Sequence, residues 1–171
     1  PELCVEALAI VKARVPDARI VLYGSDNKPH LPFDHEHLGL ITDISRINTL
    51  YNESAIGLCV SSTNPSRIPF EMMAAGCVPV DIYRYNNLFD YDAGTGVLAH
   101  DSAESIAKAL IGLLEDPAGC QARSKKAMDS VRHRSLAWEM DVAVNAVGMG
   151  LDGFDFDTIE EQGPTYTLSL I

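Results

Sequence analysis

The residues best suited to chemistry lie in one stretch of this 171-residue chain, Ser61-Ser62-Thr63-Asn64-Pro65-Ser66-Arg67-Ile68-Pro69-Phe70-Glu71. Its first half is rich in hydroxyls and amides. Its second half reads as the opening of a helix, because Pro69 fits a first turn, where its missing N–H leaves no bond unmade. The free amides and positive dipole end of such a helix suit phosphate oxygens. Glu71 falls in the same turn, and a carboxylate accepts two hydrogen bonds side by side, which matches a ribose diol. The combination points to a nucleotide carrying phosphates. Each residue also has a plainer reading: the dipole alone favours Glu71, Arg67 suits an exposed surface, and Gly76 suits a helix cap.

Other constellations carry less. Gly94-Thr95-Gly96 is too short for a dinucleotide fingerprint, and no Walker loop occurs. His35-Glu36-His37 is one close pair without further ligands, so no metal site is assigned. Cys4, Cys59, Cys77 and Cys120 lie far apart; Cys59 and Cys77 sit in apolar runs, where cysteine behaves as a small hydrophobe. That usage fits a reducing compartment and a cytoplasmic protein. Trp138, with Met140 and Val144, reads as core rather than as a sugar platform, and Lys125-Lys126 reads as a solvated helix face.

The bulk numbers bound the function. Apolar residues make up 47% and charged residues 22%, the balance of a globular domain. A formal net charge of -11 argues against a nucleic-acid footprint, which needs clustered positive charge. The acid concentrates in GLDGFDFDTIEEQ (150–162), which has no base and reads as a solvated tail. No apolar run is long enough to span a membrane, and PELCVEALAIVKARVP reads as a helix rather than a signal peptide.

The elements that must position these residues alternate. A helix with Cys4, Leu8, Val11 and Val15 on one face ends at Pro16-Asp17, and a strand over ARIVLYG (18–24) stops at Gly24-Ser25-Asp26-Asn27. HLGLI (37–41) is a short strand, and a helix starts at Asp43. AIGLCVSS (55–62) is nearly continuous in apolar residues, the pattern of a strand buried on both faces. Then follow the helix PFEMMAA, the strands CVPVDIY (77–83) and GVLA (96–99), and a helix opened by Asp101 and Glu104 in the manner of a capping box. Helices over roughly 118–133 and 135–147 complete the chain. This rhythm predicts an α/β fold, a Rossmann-like open parallel sheet with helices on both faces, over residues 1–149. Residues 150–171 form an acidic C-terminal tail with a strand-like end, TYTLSLI (165–171). In such a sheet the ligand crevice lies beyond the carboxyl ends of the strands, here the loops Gly24–Asn27, Thr63–Ile68 and Arg84–Gly94.

The passage IPFEMMAAGCVPVDIY resembles the P-x-x-E-A-M-A-x-G-x-P-V-V signature of retaining GT-B glycosyltransferases of family four. PELCVEALAIVKARVPDARIVLYG, GLITDISRINTLYNESAIGLCVS and GVLAHDSAESIAKALIGLLEDP are similar to further stretches of that family, so the likeness covers about residues 1–146. It implies the C-terminal, donor-binding half of a GT-B fold. Glu71 would bind the ribose hydroxyls. The amides around Ser66, Arg67 and Ile68 would approach the donor's sugar and diphosphate, Gly24 and Ser25 would lie beside the nucleotide, and backbone near Leu40 and Ile41 would hold the base edge. The family's other motif glutamate falls at Thr63, a departure at the residue that contacts the transferred sugar. The form S-x-x-x-P-S-x-x-P-x-E resembles the rhamnosyltransferase and rhamnan-synthesis branch, which implies a deoxythymidine diphosphate sugar or similar donor, no further cofactor and no obligatory metal.

The same resemblance implies an acceptor-binding N-terminal domain, a glycan acceptor, and peripheral membrane association through that other half. The family's diphosphate-binding Arg and Lys, and the strand that precedes the first helix, have no counterpart here, so residues upstream of Pro1 are expected in the full protein. Alternatively TYTLSLI fills an edge or central slot. Two other readings stay open: a nucleotide-sugar-binding module that lost transfer, suggested by Thr63, and a nucleotide-sugar epimerase with Asp26 and Asp90 or Asp92 as acid/base candidates.

Overall fold

A computed structural model describes residues 2–60 and 66–153. Thr63, with the rest of 61–65, and the segment TYTLSLI lie outside the described residues. The elements are α1 (Glu2–Arg14), β1 (Val21–Leu22), β2 (Glu36–His37), α2 (Ile44–Asn52), β3 (Ile56–Leu58), α3 (Ile68–Ala74), β4 (Val78–Ile82), a 3₁₀ turn (Asn86–Phe89), β5 (Val97–Ala99), α4 (Ala103–Glu115), α5 (Pro117–Val131) and α6 (Leu136–Leu151). Among the described residues, no helix is long and apolar enough to cross a membrane.

All strand pairings are parallel, as expected, and the chain has the Rossmann-like α/β architecture. They form two sheets, β1-β2 and β3-β4-β5. The side-chain period of two sorts the larger sheet's faces. Val80, Ile82, Val97 and Ala99 pack with Ala7 and Val11 of α1 and with Ile106, Ala107 and Leu110 of α4. Leu98 points the other way, into a cluster with Met73 of α3, Tyr91, and Ala127 and Val131 of α5. The result is three layers with β4 buried along its whole length. Pro79 is tolerated inside that central strand because of its position. Val78 and Val80 bond to β3. Pro79 therefore faces β5, one residue before the Val80↔Val97 pairing begins, where no donor is required.

Local chemistry explains the element ends. Asp43 caps α2 by accepting from the Ser45 amide at 2.9 Å. Gly76 ends α3 at φ +82°, a left-handed conformation that glycine adopts without a Cβ clash.

Several expectations are corrected. Strand 18–24 shrinks to Val21–Leu22. The strand expected at 37–41 is Glu36–His37, cut off by Gly39 at φ +69°. The run at 55–62 is not buried on both faces: Ile56 and Leu58 of β3 are only half-buried, because β3 is an edge strand. Ser102, not Asp101, caps α4, accepting from the Ser105 amide at 3.1 Å, while Asp101 pairs with Arg84. Trp138, Met140 and Val144 are not core, since α6 buries none of its residues.

Candidate nucleotide-binding crevice

The first turn of α3 is built as its residues dictate. Arg67 occupies the cap position without a side-chain cap, Pro69 lies in the first turn, and Met72 and Met73 bury the inward face. Glu71 stays exposed, and its amide donates to the Arg67 carbonyl at 3.1 Å. The Ile68 amide donates to Ser66 Oγ at 3.2 Å, so one of the amides expected to face a phosphate already has an internal partner. The exposed Arg67 guanidinium binds Glu139 of α6.

Glu71 has neighbours that sequence reasoning missed. Tyr51, in the last turn of α2, and Tyr23, after β1, hold their hydroxyls 2.6 Å apart with rings edge-on. Burial, first, then the hydrogen bond to Tyr23 and the nearby Glu71 carboxylate push the Tyr51 hydroxyl's pKa upward. Tyr51 is 5% exposed and belongs to a cluster with Cys59, Met72 and Cys77. The tyrosine pair therefore links the end of β1 to the glutamate turn. The only signal in the sequence was two tyrosines at element ends, which is too common to single out.

The remaining expected residues divide. Gly24, at φ +98°, donates its amide to the Gly39 carbonyl at 2.9 Å, which ties the loop after β1 to the loop after β2. Exposed Ser25 accepts from the Asn27 amide at 3.3 Å. Leu40 is exposed and Ile41 buried, so the two bracket the point where the second loop turns inward. Gly24, Ser25, Leu40, Ile41 and Glu71 thus all follow strand ends, on the side where α/β sheets bind ligands. Arg134 adds a cation to the α3 turn, 4.6 Å over the Phe70 ring. Burial raises the pKa of the nearby Asp90 carboxyl, and Arg134 opposes that rise.

His35 Nδ1 lies 3.1 Å from the Phe33 carbonyl, Glu36 pairs with Arg19, and no cluster of three His, Cys, Asp or Glu occurs among the described residues. All four cysteines are free, and desolvation pushes Cys77 up to about 12.

Comparison with known proteins bears on the family and the fold. The profile of the family "WsaF, C-terminal domain" matches residues 1–111. The C-terminal domain of a glycosyl transferase group 1 family protein (LpcC) from Francisella tularensis superposes with a TM-score of 0.63 at 22% identity, covering 75% of each chain. Sucrose-phosphate synthase from Thermosynechococcus elongatus superposes with a TM-score of 0.69 at 18% identity over 90% of this chain, which spans 43% of that enzyme's length. At those identities the likeness establishes the fold. No curated protein matches the chain at a significant level.

Proposed function

The chain belongs to the WsaF C-terminal domain family, and on that premise we propose that it is the donor-binding half of a GT-B glycosyltransferase, moving a sugar from a nucleoside diphosphate to a glycan. What supports the reading is the exposed Glu71 in the first turn of α3, with the Tyr51–Tyr23 pair tying the neighbouring helix to the end of β1. Glu71 accepts from the ribose diol, and the Gly24-Ser25 and Leu40-Ile41 loops flank the nucleoside. The diphosphate's charge is met by the positive end of α3 and by cations, with no metal held by this chain. An N-terminal domain supplies the acceptor site. The motif around Pro65-Ser66 and Pro69-Phe70-Glu71 favours a deoxythymidine diphosphate sugar of the rhamnosyl type, transferred with retention.

Calorimetric titration with thymidine, uridine, guanosine and adenosine diphosphates tests this. One nucleotide is expected to bind, and Glu71→Ala to weaken it by about 1–3 kcal/mol, the range for a hydrogen bond to a charged group. Unchanged affinity in that variant removes Glu71 from the site. A second reading, a binding module without transfer, is favoured by Thr63 standing where the family has glutamate. Activity of the full-length protein on a thymidine diphosphate sugar separates the two.

A further inference from the structure

The third loop beyond the strand ends, residues 84–94, carries a surface of its own. The parallel neighbours β3 and β4 end on the same side of the sheet, so the 3₁₀ turn that follows β4 lies beside the α3 turn that follows β3. The turn is held firmly. Buried Asn87 donates through Nδ2 to the Ile82 carbonyl at 2.9 Å, and its backbone amide donates to the Arg84 carbonyl at 3.0 Å. Leu88 is buried in the same cluster as Met73 of α3, with Phe70 packed against that cluster. These two anchors leave the flanking residues outside. Tyr85 is 62% and Phe89 47% exposed, and their ring centroids lie 5.4 Å apart with the planes at 75°. An edge-on contact of that kind covers at most one face of one ring, so flat aromatic surface stays open.

We propose, on the strength of the donor-binding reading above, that Tyr85 and Phe89 form a stacking platform for a pyranose ring of the glycan acceptor. This half of the enzyme then adds a contact to the acceptor as well as holding the donor. A pyranose presents a face of weakly positive C–H groups, which suits the negative face of an aromatic ring, while the hydroxyls at its rim need polar partners. The Tyr85 side chain meets both demands, with an apolar body and a phenolic tip. Charges around the turn oppose one another. Arg84, before it, is paired with Asp101 at 2.6 Å, and Asp90, after it, has Arg134 near enough to counter the rise of its pKa. A neutral ligand therefore suits this surface better than an anion or a cation. Arg134 also lies 4.6 Å over the ring of Phe70, the residue next to Glu71, so the platform adjoins the turn assigned to the donor. The loops assigned to the nucleoside follow β1 and β2, in the other sheet, which leaves the platform to a different ring. A lipid surface is disfavoured by the net charge of -11, since anionic headgroups attract clustered basic residues.

The test is titration of the chain with neutral tetrasaccharides of rhamnose, glucose, galactose and mannose, read from the aromatic ring signals of Tyr85 and Phe89 in NMR spectra. At least one tetrasaccharide is expected to shift both rings, and the double variant Tyr85→Ala with Phe89→Ala to weaken its binding at least about tenfold. Tyr85→Trp, which keeps a flat ring, should retain binding within about threefold. Both positions are exposed, so these variants should melt as the parent does and bind the nucleoside diphosphate as tightly. No shift with any of the sugars overturns the proposal, as does sugar binding that is indifferent to the double variant. A parallel loss of nucleotide affinity in that variant overturns it too, since the turn would then serve the donor. Sedimentation with vesicles of phosphatidylcholine and phosphatidylglycerol supplies a further arm. Vesicle binding that disappears in the double variant, with no sugar response, overturns the proposal in favour of a membrane surface. If Glu71→Ala leaves nucleotide binding intact while a sugar still moves the two rings, the donor reading fails and the platform stands. Nucleotide binding without any sugar response is the converse.

Discussion

The hydroxyls of Tyr23 and Tyr51 meet at 2.6 Å, joining the end of β1 to the end of α2 beside the glutamate turn. Each single change to phenylalanine leaves the other hydroxyl without this partner, in a buried place for Tyr51 and a half-buried one for Tyr23. Tyr23→Phe and Tyr51→Phe are each expected to cost about 1 kcal/mol, and the double variant less than their sum. Urea denaturation of the three variants measures the coupling, and strict additivity would mean that the contact carries no energy.

A side chain at Gly57 would force Met72 to move. A Cβ there would overlap the Met72 thioether and come within 3.2 Å of Cys77 Sγ. Gly57→Val is expected to destabilise by about 1–3 kcal/mol, the usual cost of overpacking a core. In the pair Gly57→Val and Met72→Ala, part of that loss should return, as thermal melting will show.

Gly76 is required by backbone conformation. At φ +82° a side chain is strained, and a Cβ would sit 3.3 Å from Ser124 Oγ, which donates to the Gly76 carbonyl at 2.6 Å. Gly76→Ala is expected to cost about 1–2 kcal/mol, and Ser124→Ala about 1 kcal/mol for the lost bond. Chemical denaturation checks both.

Alkali should unfold the chain through its buried thiols and phenols. Burial holds the Cys77 proton up to about 12, against an ordinary thiol value of 9.0, and Cys59 and Tyr91 shift in the same direction for the same first reason. The unfolded chain releases these protons earlier, so the folded state binds more of them in between. Their stabilisation is complete below about pH 9 and drains away as pH rises toward 12. Melting temperature should fall across that window, and Cys77→Ala should flatten part of the fall.

Much of this was legible beforehand because short-range physics wrote it. Asp43 announced the start of α2, Pro69 and Gly76 bounded α3, and the strand-helix rhythm fixed the parallel architecture. The failures share one cause, that pairing partners are set in three dimensions. AIGLCVSS has the composition of a central strand, yet β3 has a neighbour on one side only. Asp101 and Glu104 match a capping box, but Arg84 draws Asp101 away and leaves the cap to Ser102. The place of Glu71 in the first turn of α3 was readable from Pro69. Its relation to Tyr51 was not, since twenty residues of chain separate them and only folding brings them together.

Helix α6 holds eight large apolar side chains in water, from Leu136 at 70% exposure to Leu151 at 83%. It is tied to the body near its start, by Trp138 against His133 and by Glu139 on Arg67. Short isolated helices are marginal in water, and an apolar surface all round gains by being covered. A part that contributes nothing to the core is thus expected to govern how the chain associates with itself. Shortening the chain before Leu136 should leave the three-layer body intact and make its solutions more tolerant of concentration and salt.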